Sequence, residues 1–168
     1  MVLSTTPAST ALGEGQDSLG ELPGPRMRLL SCRIERRPAA VSRVVVEFGE
    51  PGASPEDRIS CQREGTACPV GDLRLASLAT LDAVTRATSG ALKIELIGAK
   101  PIRAFDTNLV VVAAFAHHAG GVTKVIGAAV ADQDLLLATS RATLAAVNRL
   151  AAPLLAGAVV PSPDERAP

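Results

Sequence analysis

The chain has 168 residues with 17 basic and 17 acidic side chains, so its formal net charge is zero. Balanced charge gives no electrostatic reason to expect nucleic acid or an anionic membrane as a partner. Hydrophobic residues make up 47%, ordinary for a globular domain, while aromatics are only 2%, which argues against base-stacking and sugar-stacking surfaces.

Residues 1–25 are rich in Ser, Thr, Gly, Pro and Ala with no apolar period, and read as a disordered tail. They lack the basic start and continuous apolar run of a secretory signal. Residues 161–168, PSPDERAP, read the same way. Between them lie two units, 26–90 and 91–160. In the first, Met27–Glu35, Ser42–Phe48 and Arg58–Arg63 are strand candidates, and Gly49, Pro51, Gly52 and Pro55 punctuate the second connection. A helix follows with Asp72 as its expected N-cap; Leu75, Leu78, Leu81 and Val84 recur at helical spacing and Ser89-Gly90 ends it. In the second unit, Ala91–Ile97, Asn108–His117 and Val122–Val130 read as strands, with a turn at Ala119-Gly120-Gly121. The last helix is expected to start near Asp132–Leu135 and to end before Pro153. The longest apolar stretches, Leu109–Ala116 and Leu150–Val160, fall short of the roughly 20 residues that span a bilayer. A cytoplasmic protein with no membrane partner is expected.

The units repeat. Ala79-Thr80-Leu81-Asp82-Ala83-Val84-Thr85-Arg86 matches Ala142-Thr143-Leu144-Ala145-Ala146-Val147-Asn148-Arg149 at an offset of 63, with six of eight positions identical. Upstream, Arg43-Val44-Val45-Val46-Glu47-Phe48 echoes Leu109-Val110-Val111-Val112-Ala113-Ala114-Phe115. A repeat with strands and helix in the same order sets the architecture. The fold class is therefore α+β, a duplicated βββα unit with two three-stranded antiparallel meanders, each covered by one helix. Such a unit buries little alone, so the halves should pack together and a symmetric homodimer is expected.

The segment Asp134–Arg149, with an Asp, aliphatics, the small pair Ala138-Thr139 and a closing Asn148-Arg149, resembles the last helix of the regulatory domain of 2-isopropylmalate and citramalate synthases. Gly65 followed by Pro69-Val70 and Asp72 is similar to that family's Gly-rich loop with Pro-Val-Asp. The resemblance covers about residues 28–152. It implies a duplicated βββα fold, dimerisation and a pocket for a branched-chain amino acid or 2-oxo acid. The residues it nominates are Gly65, Pro69, Val70, Asp72, Gly127, Ala129 and Asp134. The paired glycines of the family loops are incomplete here: Gly65 and Gly127 remain, while Ala67 or Cys68, and Ala129, stand at the second positions. The spacing from Gly127 to Asp134 is one residue longer than the family's. The 168 residues hold no room for the catalytic barrel, so synthase activity is not implied.

No phosphate loop, dinucleotide fingerprint or nucleophile elbow is present, and no cofactor is expected. Cys61 and Cys68 are seven apart, which fits no zinc pattern, and Cys32 leaves an odd count. All three read as reduced structural thiols, with Cys68 before Pro69 as the alternative reactive one. His117 and His118 are adjacent on a strand and point to opposite faces, so they do not share one metal. Arg33, Arg36, Arg37 and Arg43 form a basic cluster, read as a solvated strand edge or an anion site. The expected function is a non-catalytic metabolite-binding or dimerisation module. The alternatives are a scaffold that has lost its ligand, and an enzyme using His117 or Cys68.

Overall fold

The computed structural model describes residues 27–49, 54–131 and 134–156; the expected tails at 1–25 and 161–168 lie outside them. In chain order come β1 (Leu29–Arg37), β2 (Val41–Phe48), β3 (Ile59–Thr66), α1 (Pro69–Ala87), β4 (Lys93–Ala104), β5 (Thr107–His118), β6 (Gly121–Val130) and α2 (Leu135–Leu155). The strands form two antiparallel three-stranded sheets, β1-β2-β3 and β4-β5-β6. The duplicated βββα architecture is thus present.

Strict alternation makes β2 a strand with one buried face: Ser42, Val44, Val46 and Phe48 point inward. In β5 the inward set is Val110, Val112, Ala114 and Ala116. The first hairpins of both units turn with positive φ, at Ala39 and Ala40 and at Phe105 and Asp106. The Phe105-Asp106 connection has two residues, the length at which positive φ at both matches the twist of the strands.

The helices form a middle layer between the two sheets. α1 lies against β2 and β3 of its own unit and β4 of the other, while α2 lies against β5 and β6 and also β1. The core follows this exchange. Leu81 and Val84 of α1 join the cluster under the second sheet, and Leu136 and Leu144 of α2 pack into the cluster under the first. Both helices accordingly carry small buried residues on several sides, among them Ala76, Ala79, Ala83, Ala142 and Ala146. Small side chains let helices and sheets approach closely. At the helix crossing, Thr143 Oγ1 lies 3.2 Å from Ser77 Oγ.

Several boundaries differ from the sequence reading. β3 extends to Thr66 and β4 to Ala104. Gly98 and Pro101 resemble breakers, but β4 is an edge strand with a bulge between Leu96 and Gly98, where both residues are tolerated. α2 continues past Pro153 to Leu155; a proline in the last turn forfeits one hydrogen bond only. α1 ends as expected, with Gly90 at φ +80 and its N–H donating to the Thr85 carbonyl at 2.8 Å.

Candidate functional site

The largest correction falls on Asp72. It is not the N-cap of α1. The cap is Cys68, whose Sγ accepts the Gly71 N–H at 3.2 Å, with Pro69 as the first helical residue. Asp72 sits one turn inside the helix and is only 5% exposed. Its carboxylate accepts two hydrogen bonds from Arg36 of β1, at 3.0 and 2.8 Å, and Arg36 also donates to Ser42. Burial works to raise the Asp72 carboxyl, but the hydrogen bonds from Arg36 and Ser42 outweigh it and hold it below the usual carboxylate range. Asp134 does cap α2, accepting the Leu137 N–H at 2.9 Å. The two caps, residues 68 and 134, are 66 apart, against 63 for the matched helical segments, so α1 begins three residues earlier in the repeat.

The remaining nominated residues have structural employment. A Cβ on Gly127 would fall on the Ala142 carbonyl oxygen and the Ala146 amide nitrogen, and 2.9 Å from the Ala146 Cα; this glycine is where α2 crosses the second sheet. A Cβ on Gly65 would come 3.1 Å from Leu75 Cδ2. Ala129 is half-buried on β6, against the second core cluster. Pro69 and Val70 are exposed on the first turn of α1, Val70 at 71%.

Two further contacts tie β1 to the helices. Arg36, the partner of Asp72, stands four residues along β1 from Cys32, and Cys32 Sγ lies 3.4 Å from Ser140 near the start of α2. Ser77 meets Thr143 where the helices touch, and α1 folds back along β4, where Thr85 Oγ1 donates to the Leu92 carbonyl.

The basic cluster is neutralised by its neighbours. Arg33 donates to Glu47 at 2.6 Å, Arg36 to Asp72, and Arg43 to Glu64, with Arg37 near Glu35 and Glu64. The Arg43 hydrogen bond holds the Glu64 carboxyl below its ordinary range. Apart from Arg36 and Asp72, these groups cover the outer face of the first sheet. His118 Nδ1 accepts the Gly120 N–H at 3.1 Å and its Nε2 lies 3.1 Å from Thr123 Oγ1, while His117 is 3.9 Å from Glu95. The three cysteines are free; burial pushes the Cys32 and Cys61 thiols up, Ser140 partly offsetting this at Cys32. Among the described residues no cluster of His, Cys, Asp or Glu could hold a metal ion, and no helix is long and apolar enough to cross a membrane.

The outer face of the second sheet is built differently. Its central strand presents Leu109, Val111, Ala113 and Phe115, flanked by Ile126 (63% exposed) and Val130 (48% exposed) of β6. The run Leu109–Ala116 is too short to span a membrane. An uninterrupted apolar run in a strand also signals that both faces are covered. No protein-family model matches the chain, and no curated protein matches it.

Proposed function

We propose that this chain is a non-catalytic regulatory module that pairs with a second copy, in the manner the resemblance to the 2-isopropylmalate synthase regulatory domain implies. The observation that carries the reading is the duplicated βββα order with the two helices meeting at Ser77 and Thr143. His117 and His118 on opposite faces, and Cys68 engaged as a cap, support a role without catalysis. Three free cysteines suit a reducing, cytoplasmic setting.

Binding of a branched-chain amino acid or 2-oxo acid is the sharper form of this reading. The exposed Pro69 and Val70 favour it, because they set an apolar lip on a helix N-terminus, a good environment for a carboxylate. The engagement of Asp72 by Arg36 and of Gly127 by α2 favours the scaffold that keeps the fold without the ligand. Thermal unfolding with leucine, isoleucine, valine and their 2-oxo acids separates the two. A ligand at 100 times its Kd stabilises the folded state by about 2.7 kcal/mol. A shift with one compound supports metabolite sensing, and no shift across the panel leaves the scaffold.

A further inference from the structure

We propose that the outer face of the second sheet is the surface on which a second copy of this chain docks, face to face about a two-fold axis. The inference rests on the pairing in the reading above and is independent of any metabolite. The two sheets are equivalent by duplication, yet only the second leaves an apolar outer face. Val111, Ala113 and Phe115 form its spine, and Ala113 lies between Gly98 and Ala128's neighbour Ile126, so the centre is flat enough for another sheet.

Charge placement selects a copy of the same face as occupant. In the row of Phe115 stand Glu95 on β4 and Lys124 on β6; in the row of Val111 stands Lys100 on β4. A two-fold axis along β5 lays β4 over the partner's β6 and brings Glu95 opposite Lys124 twice. An axis across the strands at Ala113 exchanges the rows of Phe115 and Val111 and brings Glu95 opposite Lys100 twice. Either isologous arrangement gives the carboxylate of these rows a lysine. The size fits as well. Three strands about 4.8 Å apart and about ten residues long offer about 480 Å² per copy, so a pair buries about 960 Å², just under the roughly 1,000 Å² of a stable specific interface and the size of a weak, concentration-dependent one. Residues 1–26 offer no alternating apolar run to cover the face instead.

The test is the mass of the full chain by sedimentation, up to about 500 µM, a range that registers weak pairing. The expected result is a dimer that Ile126→Glu and Val130→Glu each weaken at least about tenfold, with circular dichroism unchanged, while Val45→Glu on the first sheet leaves it intact. Glu95→Lys should weaken it too, and adding Lys124→Glu or Lys100→Glu should restore it, the restoring partner identifying the axis. A dimer indifferent to Ile126→Glu and Val130→Glu overturns the assigned face while leaving pairing standing. Restoration by neither lysine substitution overturns the two-fold geometry. A wild-type monomer throughout overturns pairing itself, as does a monomer that dimerises only after residues 1–26 are removed.

Discussion

The two sheets share an inner logic and differ on the outside. Both place alternate valines of the central strand against the helix layer, Val44 and Val46 in the first and Val110 and Val112 in the second. Outward, the first sheet carries Arg33, Arg43, Glu47 and Glu64 in ion pairs, whereas the second carries Val111, Ala113 and Phe115. The inner set is constrained by packing in both copies, since a one-residue slip would put it in water. The outer set was free to diverge. Exposed ion pairs contribute little stability, about 0–1 kcal/mol each. Their consequence here is a charged, solvated outer face on the first sheet, against an apolar one on the second.

The helix contacts of the two glycines sharpen this comparison most. Gly127→Ala should destabilise by about 3 kcal/mol or more, because its Cβ meets backbone atoms of α2 that cannot yield without moving the helix. Gly65→Ala should cost about 1 kcal/mol or less, because the flexible end of Leu75 can shift. Urea unfolding of both variants measures the difference, and equal effects would contradict the account.

Next in size is the Asp72–Arg36 pair, which ties β1 to α1. Arg36→Met should destabilise the fold by less than Gly127→Ala, since it strips the buried Asp72 carboxylate of its partner while the guanidinium side chain itself is 58% exposed. The sign with pH follows from the lowered carboxyl. Its contribution is fully present above the unfolded value, about 3.9, and is lost as pH falls through the lower folded value. Asp72→Asn should flatten this acid limb in unfolding measured between pH 2 and 6.

The caps differ by less. Asp134→Ala should cost about 1 kcal/mol, whereas Cys68→Asp should stabilise α1 by a few tenths of a kcal/mol, since Asp is the stronger cap. The smallest effect belongs to the hairpin tip, where Phe105 is 99% exposed at positive φ. Replacing Phe105-Asp106 with Asn-Gly should add about 0.5–1 kcal/mol. Thermal unfolding resolves both.

The order of elements was legible because period 2 and period 3.6 alternate cleanly along the chain and the helical segments repeat. The start of α1 is hidden in the sequence because Asp72 is a preferred capping residue and Cys68 is not. The better signal was Pro69, which suits the first helical position. Asp72 instead answers Arg36, a contact 36 residues away that no local pattern discloses. Gly127 reads from sequence as a loop glycine, but its reason is the approach of α2, which depends on packing between elements. The contrast between Arg43-Val44-Val45-Val46-Glu47 and Leu109-Val110-Val111-Val112-Ala113 was in plain sight, one amphipathic strand and one apolar on both faces.

The most direct test of a self-covered second sheet is the dependence of Tm on protein concentration. Dimerisation stabilises by mass action, so the wild-type Tm should climb as concentration rises a hundredfold, and the Tm of Ile126→Glu should stay level. A wild-type Tm that does not move with concentration would contradict the claim.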